Sequence, residues 1–262
     1  MDYTDILYQR RGDAVWITLN RPDVLNALRG RTFEELADAV ARVGAERGLA
    51  AVVLTGAGER AFCAGGDVAE MRDLDPQRGR PFLELFIAIV TGLRRLPVPV
   101  IARIRGYCIA GGNELNLACD LAVASEDAQF GQAGPMVGSV PVILGTQMMP
   151  RLCGERFAKE VVFLCRRYSA REALERGWVN VVVPAERLDA EVDAMVERVA
   201  AMSPSALRIA KASINLEGDM LLGPSLRMGV EMLAPLYGSD EMREGMSAFL
   251  EKRPPDFRRF RR

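Results

Sequence analysis

The chain has 262 residues, 34 Lys and Arg against 35 Asp and Glu, and no histidine. Near-neutral charge argues against a dedicated nucleic-acid binder, which is usually strongly basic. The missing histidine removes Ser-His-Asp and Cys-His catalysis and any His-ligated metal site, so proton transfer falls to carboxylates, Lys, Tyr or Cys.

The N-terminus, MDYTDILYQR, lacks a signal-peptide core, and no apolar run reaches membrane-span length, so the expectation is a soluble, cytoplasmic protein. Asp5 to Gln9 and Ala14 to Leu19 read as two strands joined in a hairpin at Arg11-Gly12-Asp13. After the loop Val24 to Leu28, Thr32 and Glu35 make a capping-box pattern, followed by Phe33, Leu36, Ala37, Val40 and Val43 at helical spacing. Leu49 to Thr55 reads as a buried strand. It runs into Gly56-Ala57-Gly58-Glu59-Arg60-Ala61, which matches G-x-G-x-x-A. A dinucleotide site is rejected here, because a second glycine pair, Gly65-Gly66, breaks any following helix and no acid-tipped second strand comes at the required distance. The turn reads instead as a strand-to-strand connection.

Gly65-Gly66 precedes Val68-Ala69-Glu70-Met71-Arg72, a plausible helix start, with Asp67 better read as its cap than as a catalytic acid. Asp73 to Arg80 reads as a mobile loop, and a helix follows with Phe82, Leu85, Phe86, Ile89, Val90 and Leu93 on one face. The most informative stretch is Pro97 to Asp120. A β-branched strand, Val98 to Ile104, breaks at Gly106, and the chain passes Ala110-Gly111-Gly112 into a helix carrying Glu114 in its first turn. Unpaired N–H groups and the positive dipole end suit a developing oxyanion, and a carboxylate beside them suits proton transfer next to a polarised carbonyl. Such a Glu also occurs merely to complement the dipole, and a Gly-Gly merely to make a turn. The Gly65-Gly66 junction supplies the second half-site that the catalytic reading needs.

Leu121 to Ala124 and Gln129 to Gln132 read as short strands, and Ala133 to Pro141 as a long glycine- and proline-containing loop of the kind that borders active sites. From about Thr146 the chain is mainly helical, with a second capping box at Ser169 and Glu172, an isolated strand at Trp178 to Val183, and helices near 186–201, 204–215, 224–237 and 240–250. No internal repeat is visible. The five cysteines form no C-x-x-C pair and read as reduced core residues. The basic tail from Lys252 to Arg262 fits a phosphate or nucleic-acid contact, or a solvated tail or subunit contact, and no acidic counter-run lies nearby in sequence.

These features together resemble the enoyl-CoA hydratase/isomerase (crotonase) superfamily over almost the whole length. The resemblance rests on Asn20-Arg21-Pro22 with Leu25-Asn26-Ala27-Leu28, on Ala61 to Asp67, on Gly106-Tyr107 through Gly111-Gly112-Asn113-Glu114 to Cys119-Asp120, and on Phe130-Gly131-Gln132. It implies an α/β fold, a spiral of ββα units (1–200) with a C-terminal helical trimerisation region (201–262). It also implies an acyl-CoA substrate, no prosthetic group or metal, and a homotrimer or homohexamer without nucleic-acid or membrane partners. The family's oxyanion donors fall on Gly66 and Gly111, and its first catalytic glutamate on Glu114. The CoA moiety would lie along Leu25, Ala27, Ala64, Gly65, Asp67 and Val68. The second glutamate of the hydratases falls on Gly134. The loop from Phe130 to Ser139, the segment Phe163 to Ala170 and Pro254-Pro255-Asp256-Phe257 are similar to dihydroxynaphthoyl-CoA synthases and ketocyclohexanecarboxyl-CoA hydrolases. Their catalytic tyrosine and serine fall on Tyr237 and Ser139, while their aspartate falls on Pro141. The leading expectation is an acyl-CoA lyase that hydrates an enoyl-CoA, with cyclic and dienoyl acyl groups among the candidates. C–C bond hydrolysis or synthesis on a cyclic β-oxoacyl-CoA, and a non-catalytic acyl-CoA or RNA binder, are the alternatives.

Overall fold

Two sheets are built alternately along the chain in the computed structural model, which describes residues 2–260. The strands and helices in chain order are β1 (Ile6–Arg11), β2 (Ala14–Leu19), α1 (Gly30–Ala45), β3 (Ala51–Gly56), β4 (Ala61–Cys63), α2 (Val68–Met71), α3 (Pro76–Arg95), β5 (Val100–Ile104), β6 (Tyr107–Ile109) and α4 (Gly111–Ala118). There follow β7 (Leu121–Ser125), β8 (Gln129–Gly131), α5 (Gly145–Cys153), α6 (Glu155–Leu164), β9 (Tyr168–Ser169), α7 (Ala170–Glu175), β10 (Val181–Val183), α8 (Leu188–Ala200), α9 (Pro204–Asp219), α10 (Leu222–Leu233) and α11 (Asp240–Leu250).

The larger sheet has the order β1-β2-β3-β5-β7-β10 and is parallel except for the β1–β2 hairpin. The smaller has the order β4-β6-β8-β9. A strand of the first sheet is thus followed by one of the second and then by a helix, as in β3-β4-α2 and β5-β6-α4. This is the expected ββα spiral, a repetition of structure that leaves no repeat in the sequence. β2 and β3 are buried along their whole length because the large sheet is covered on both faces, as parallel sheets are. On one face Val15, Ile17, Val52 and Leu54 meet α1 and α3 through Leu36, Val40, Ile89 and Leu93. On the other, Trp16, Val53 and Ile101 meet α8 through Leu188, Val192 and Val196. The period-two alternation of the strands distributes one sequence between two cores.

Several expectations are corrected. Thr32 and Glu35 do not cap one another. Helix α1 starts at Gly30, Thr32 Oγ accepts the Arg29 N–H at 3.3 Å, and Glu35 turns away to accept the N–H groups of Thr4, Asp5 and Ile6. The segment 73–80 is not a loop throughout. Asp75 caps α3 by accepting the Arg78 N–H at 2.8 Å, and Pro76 occupies the first helical position, where its missing N–H costs nothing. The strand expected alone at 178–183 is β10, seated parallel on β7. The helix expected at 224–237 is α10, ending at Leu233, followed by a 3-10 turn over Ala234–Leu236. The basic tail does have an acidic partner: Glu244 on α11 binds Arg253 and Arg259 and accepts the Asp256 N–H at 2.9 Å. Arg261 and Arg262 lie outside the described residues.

Candidate active site

The two glycine turns meet. β4 and β6 lie side by side with Cys63 opposite Cys108, and three residues beyond each of these cysteines comes a turn glycine, Gly66 or Gly111. Contact is so close that only glycine fits. A Cβ on Gly112 would lie 2.2 Å from Cys63 O, and one on Gly65, whose φ is +104°, would lie 2.9 Å from Ala110 Cβ. A Cβ on Gly111 would be 3.6 Å from the Gly66 nitrogen, in ordinary contact. Ala110 enters α4 at φ 51°, ψ −120°, an uncommon conformation for an alanine, and this delivers Gly111 to the first helical position. Neither the Gly66 nor the Gly111 N–H has a partner among the described residues, and both residues line one cavity of about 130 Å³.

Glu114 lies in the first turn of α4, 6% exposed, on the wall of the same cavity. Its Oε1 accepts the N–H groups of Ile143 and Gly145 at 2.9 and 3.3 Å. Oε2 makes no hydrogen bond among the described residues and is left for chemistry. Burial pushes this carboxyl up to about 8 against the pull of the two N–H groups. The donors flank Leu144, held at φ 76°. The sequence marked this loop as a site border but gave no sign that its backbone would grip Glu114.

Ser139 and Tyr237 also line the cavity, as does Gln132. Tyr237 is 1% exposed, its ring packed against Gly79 of α3, where a Cβ would lie 2.4 Å from Cδ2. Burial, with a further push from Glu114, raises its phenol above the ordinary value. The position of the absent second carboxylate is closed as well as empty of charge. A Cβ on Gly134 would sit 3.0 Å from Ser139 O and 3.1 Å from Val140 Cα. Pro141 is buried in the wall. The remaining wall is apolar, from Leu28, Val68, Met71, Phe82, Phe86 and Ile143. Phe82 and Phe86 stand on the helix expected from the sequence, whereas its first turn, with Gly79 against Tyr237, falls in the stretch expected to be a loop. Cys63 and Cys108, buried beside the turns, are poor nucleophiles, since burial pushes the Cys63 thiol up to about 12 and raises Cys108 well above its ordinary value.

The residues expected along the CoA moiety are also brought together. The Ala64 N–H donates to Leu25 O at 3.0 Å, the Leu28 N–H to Gly65 O at 2.8 Å, and the Asp67 N–H to Leu28 O at 2.7 Å. Asp67 caps α2 through the Ala69 N–H and pairs with Arg21 at 3.0 Å, and Arg21 also donates to Ala27 O at 2.7 Å. The Asp67 carboxylate is therefore committed within the protein, as the capping reading expected. Val68 lies beside it on the cavity wall.

This arrangement, a spiral of ββα units with paired glycine turns and a carboxyl facing an apolar cavity, defines an enzyme of the crotonase class. The sequence profile of the enoyl-CoA hydratase/isomerase family matches residues 10–260, and the chain belongs to that family. An enoyl-CoA hydratase from Mycobacterium avium subsp. paratuberculosis K-10 has a similar structure, with TM-score 0.90 and 28% identity over 98% of this chain and 99% of that one. An enoyl-CoA hydratase/isomerase from Xanthobacter autotrophicus Py2 gives TM-score 0.86 and 33% identity over 96% and 97%. Pseudomonas aeruginosa DspI gives 0.80 and 31% over 98% of both chains. Among the described residues no helix is long and apolar enough to cross a membrane.

Proposed function

We propose that the protein is an acyl-CoA lyase that hydrates an enoyl-CoA, using Glu114 as its single carboxylate. The observation that carries this reading is the pair of unpartnered N–H groups, Gly66 and Gly111, on the same cavity as Glu114. The thioester carbonyl accepts both N–H groups, which makes the β-carbon electrophilic. Ionised Glu114 takes a proton from water as the water oxygen bonds to the β-carbon. The π electrons pass to the thioester oxygen, giving an enolate held by the two glycines. The α-carbon then recovers a proton from Glu114, and the carboxylate is regenerated. Ser139 and Tyr237 border the acyl group and orient it or the water. CoA lies along Leu25, Ala27, Ala64, Gly65, Asp67 and Val68, mainly through backbone contacts. The resemblance of the 130–139 loop favours a cyclic or dienoyl acyl group.

The helical region from residue 201 is proposed as the trimer contact of a soluble, cytoplasmic enzyme. Its exposed Ile209, Ile214, Met220, Leu221, Met228 and Met232 support that role.

The test is a mass-spectrometric screen in water labelled with heavy oxygen, over crotonyl-CoA, cyclic enoyl- and dienoyl-CoAs and cyclic β-oxoacyl-CoAs. One labelled oxygen gained without a new carboxylate is the expected result. Ring opening to a dicarboxylate mono-thioester would transfer the assignment to C–C hydrolysis, which Ser139 and Tyr237 on the cavity wall favour as the second reading. CoA binding with no turnover of any thioester would favour a binder.

A further inference from the structure

An apolar cavity built for a plain hydrocarbon chain has no use for buried hydrogen-bonding groups, because each one left unpaired costs its desolvation. This cavity has three such atoms. Gln132 is 1% exposed, and neither its Oε1 nor its Nε2 has a partner; Tyr237 is equally buried, and its hydroxyl has none. Both side chains line the cavity with Glu114. Gln132 follows directly on β8, and a Cβ on Gly145 would lie 3.1 Å from its Nε2. Gly145 is the residue whose N–H donates to Glu114. Tyr237 faces the same carboxyl closely enough to be influenced by its charge. The amide and the phenol therefore stand at the end of the cavity where Glu114 works, among Val140, Ile143, Leu233 and other apolar groups. Together they offer donors and an acceptor to a ligand atom.

We infer that the acyl group taken by this site carries an oxygen of its own, a ketone or hydroxyl, which hydrogen-bonds to Gln132 and Tyr237. The inference rests on the acyl-CoA reading above and narrows it to oxygenated acyl chains. Sites built to hydrogen-bond a substrate discriminate strongly against the analogue that lacks the polar group, because their own groups are then left unpaired. Gln132 and Tyr237 act here as specificity-determining residues.

Titration calorimetry on the full-length protein separates the possibilities. The probes are free CoA, hexanoyl-CoA, and hexanoyl-CoAs bearing one oxo group at C4 or C5, away from C3, where hydration itself places an oxygen. At least one oxo isomer is expected to bind roughly ten-fold more tightly than hexanoyl-CoA, the scale of one hydrogen bond gained at a buried unpaired group. Gln132→Leu and Tyr237→Phe should each shrink that preference, and Gln132→Leu should leave hexanoyl-CoA affinity unchanged or improved. Their unfolding temperatures should not fall, since Gln132→Leu removes two unpaired polar atoms and Tyr237→Phe one, each with little change in volume. Equal or tighter binding of hexanoyl-CoA than of every oxo isomer would overturn the inference, as would variants that weaken all the thioesters alike. If neither CoA nor any thioester bound, the acyl-CoA reading itself would fail and the inference with it.

Discussion

Glu114 is the residue proposed to carry proton transfer, and on that reading its protonation state sets two opposite pH dependences. Its value in the folded protein, about 8, stands above the ordinary 4.5 because of burial. In the hydration direction the ionised form is the base, so kcat/KM for an enoyl-CoA should rise with pH toward a plateau above about 8, and a flat profile between pH 6 and 9 would sink the assignment. Stability runs the other way. The native carboxyl holds a proton that the unfolded chain has released, so its stabilising effect is complete below about pH 4.5 and is lost as pH rises through about 8. Glu114→Gln should abolish this slope in thermal melts and lower turnover by roughly two to four orders of magnitude. Gly111→Pro tests the other half of the site. Gly111 is the first residue of α4, and proline there removes its N–H, so the folded variant should lose one donor and about a hundred- to thousand-fold in kcat. Glu114 and both glycines were legible in the sequence because they stand next to strand–glycine–helix junctions. The grip of Ile143 and Gly145 on Glu114 was not, because a backbone N–H carries no side-chain signature and the two segments lie about thirty residues apart.

At the level of elements, α4 is enclosed by α3, α5, β4 and β6. All its residues from Gly112 to Ala118 are buried, and Asn113 accepts the Trp178 indole N–H at 2.8 Å. The Gly112 position should tolerate no side chain. Gly112→Ala drives a methyl into Cys63 O and is expected to destabilise the fold by about 1–3 kcal/mol, the usual cost of overpacking, read as a lower denaturant midpoint. The helix spacing of α1 and α3 was readable from their apolar residues. The start of α3 was obscured by DLDPQRGR, whose polar composition belongs to the capped first turns of a helix as readily as to a loop. The Thr32–Glu35 pattern misled for a related reason: a motif fixes a spacing, while tertiary contacts decide what the side chain binds. Here the N-terminal strand's N–H groups claimed Glu35.

For the whole molecule, the C-terminal helices are tied to the sheets by few polar anchors. Lys211 of α9 pairs with Asp120 at 2.7 Å and donates to Leu93 O and Val98 O, and Arg94 of α3 binds Asp219 at 2.8 Å. Lys211→Met removes the cationic partner of a solvent-exposed Asp120 and should cost about 1 kcal/mol, measurable by chemical unfolding. The outer faces of α9 and α10 remain apolar and exposed, with Ile214 at 79% and Leu221 at 72%. Light scattering should therefore report a trimer or hexamer, and Ile214→Glu with Leu221→Glu should shift the mass toward the monomer. A wild-type monomer at micromolar concentration would refute the contact assigned to this region.

The pairing of β4 with β6 has a metric consequence. Gly66 and Gly111 each stand three residues beyond Cys63 and Cys108, which are partners across the two strands just after a shift of register. Were the gap between their nitrogens that of neighbouring strands, about 4.8 Å, an oxygen atom about 2.9 Å from each would see them roughly 110° apart, close to the directions of its two lone pairs. On the role proposed for the two glycines the smaller sheet then acts as a ruler. Its spacing is a main-chain property, so side chains around the cavity could vary without altering where a carbonyl oxygen would be held.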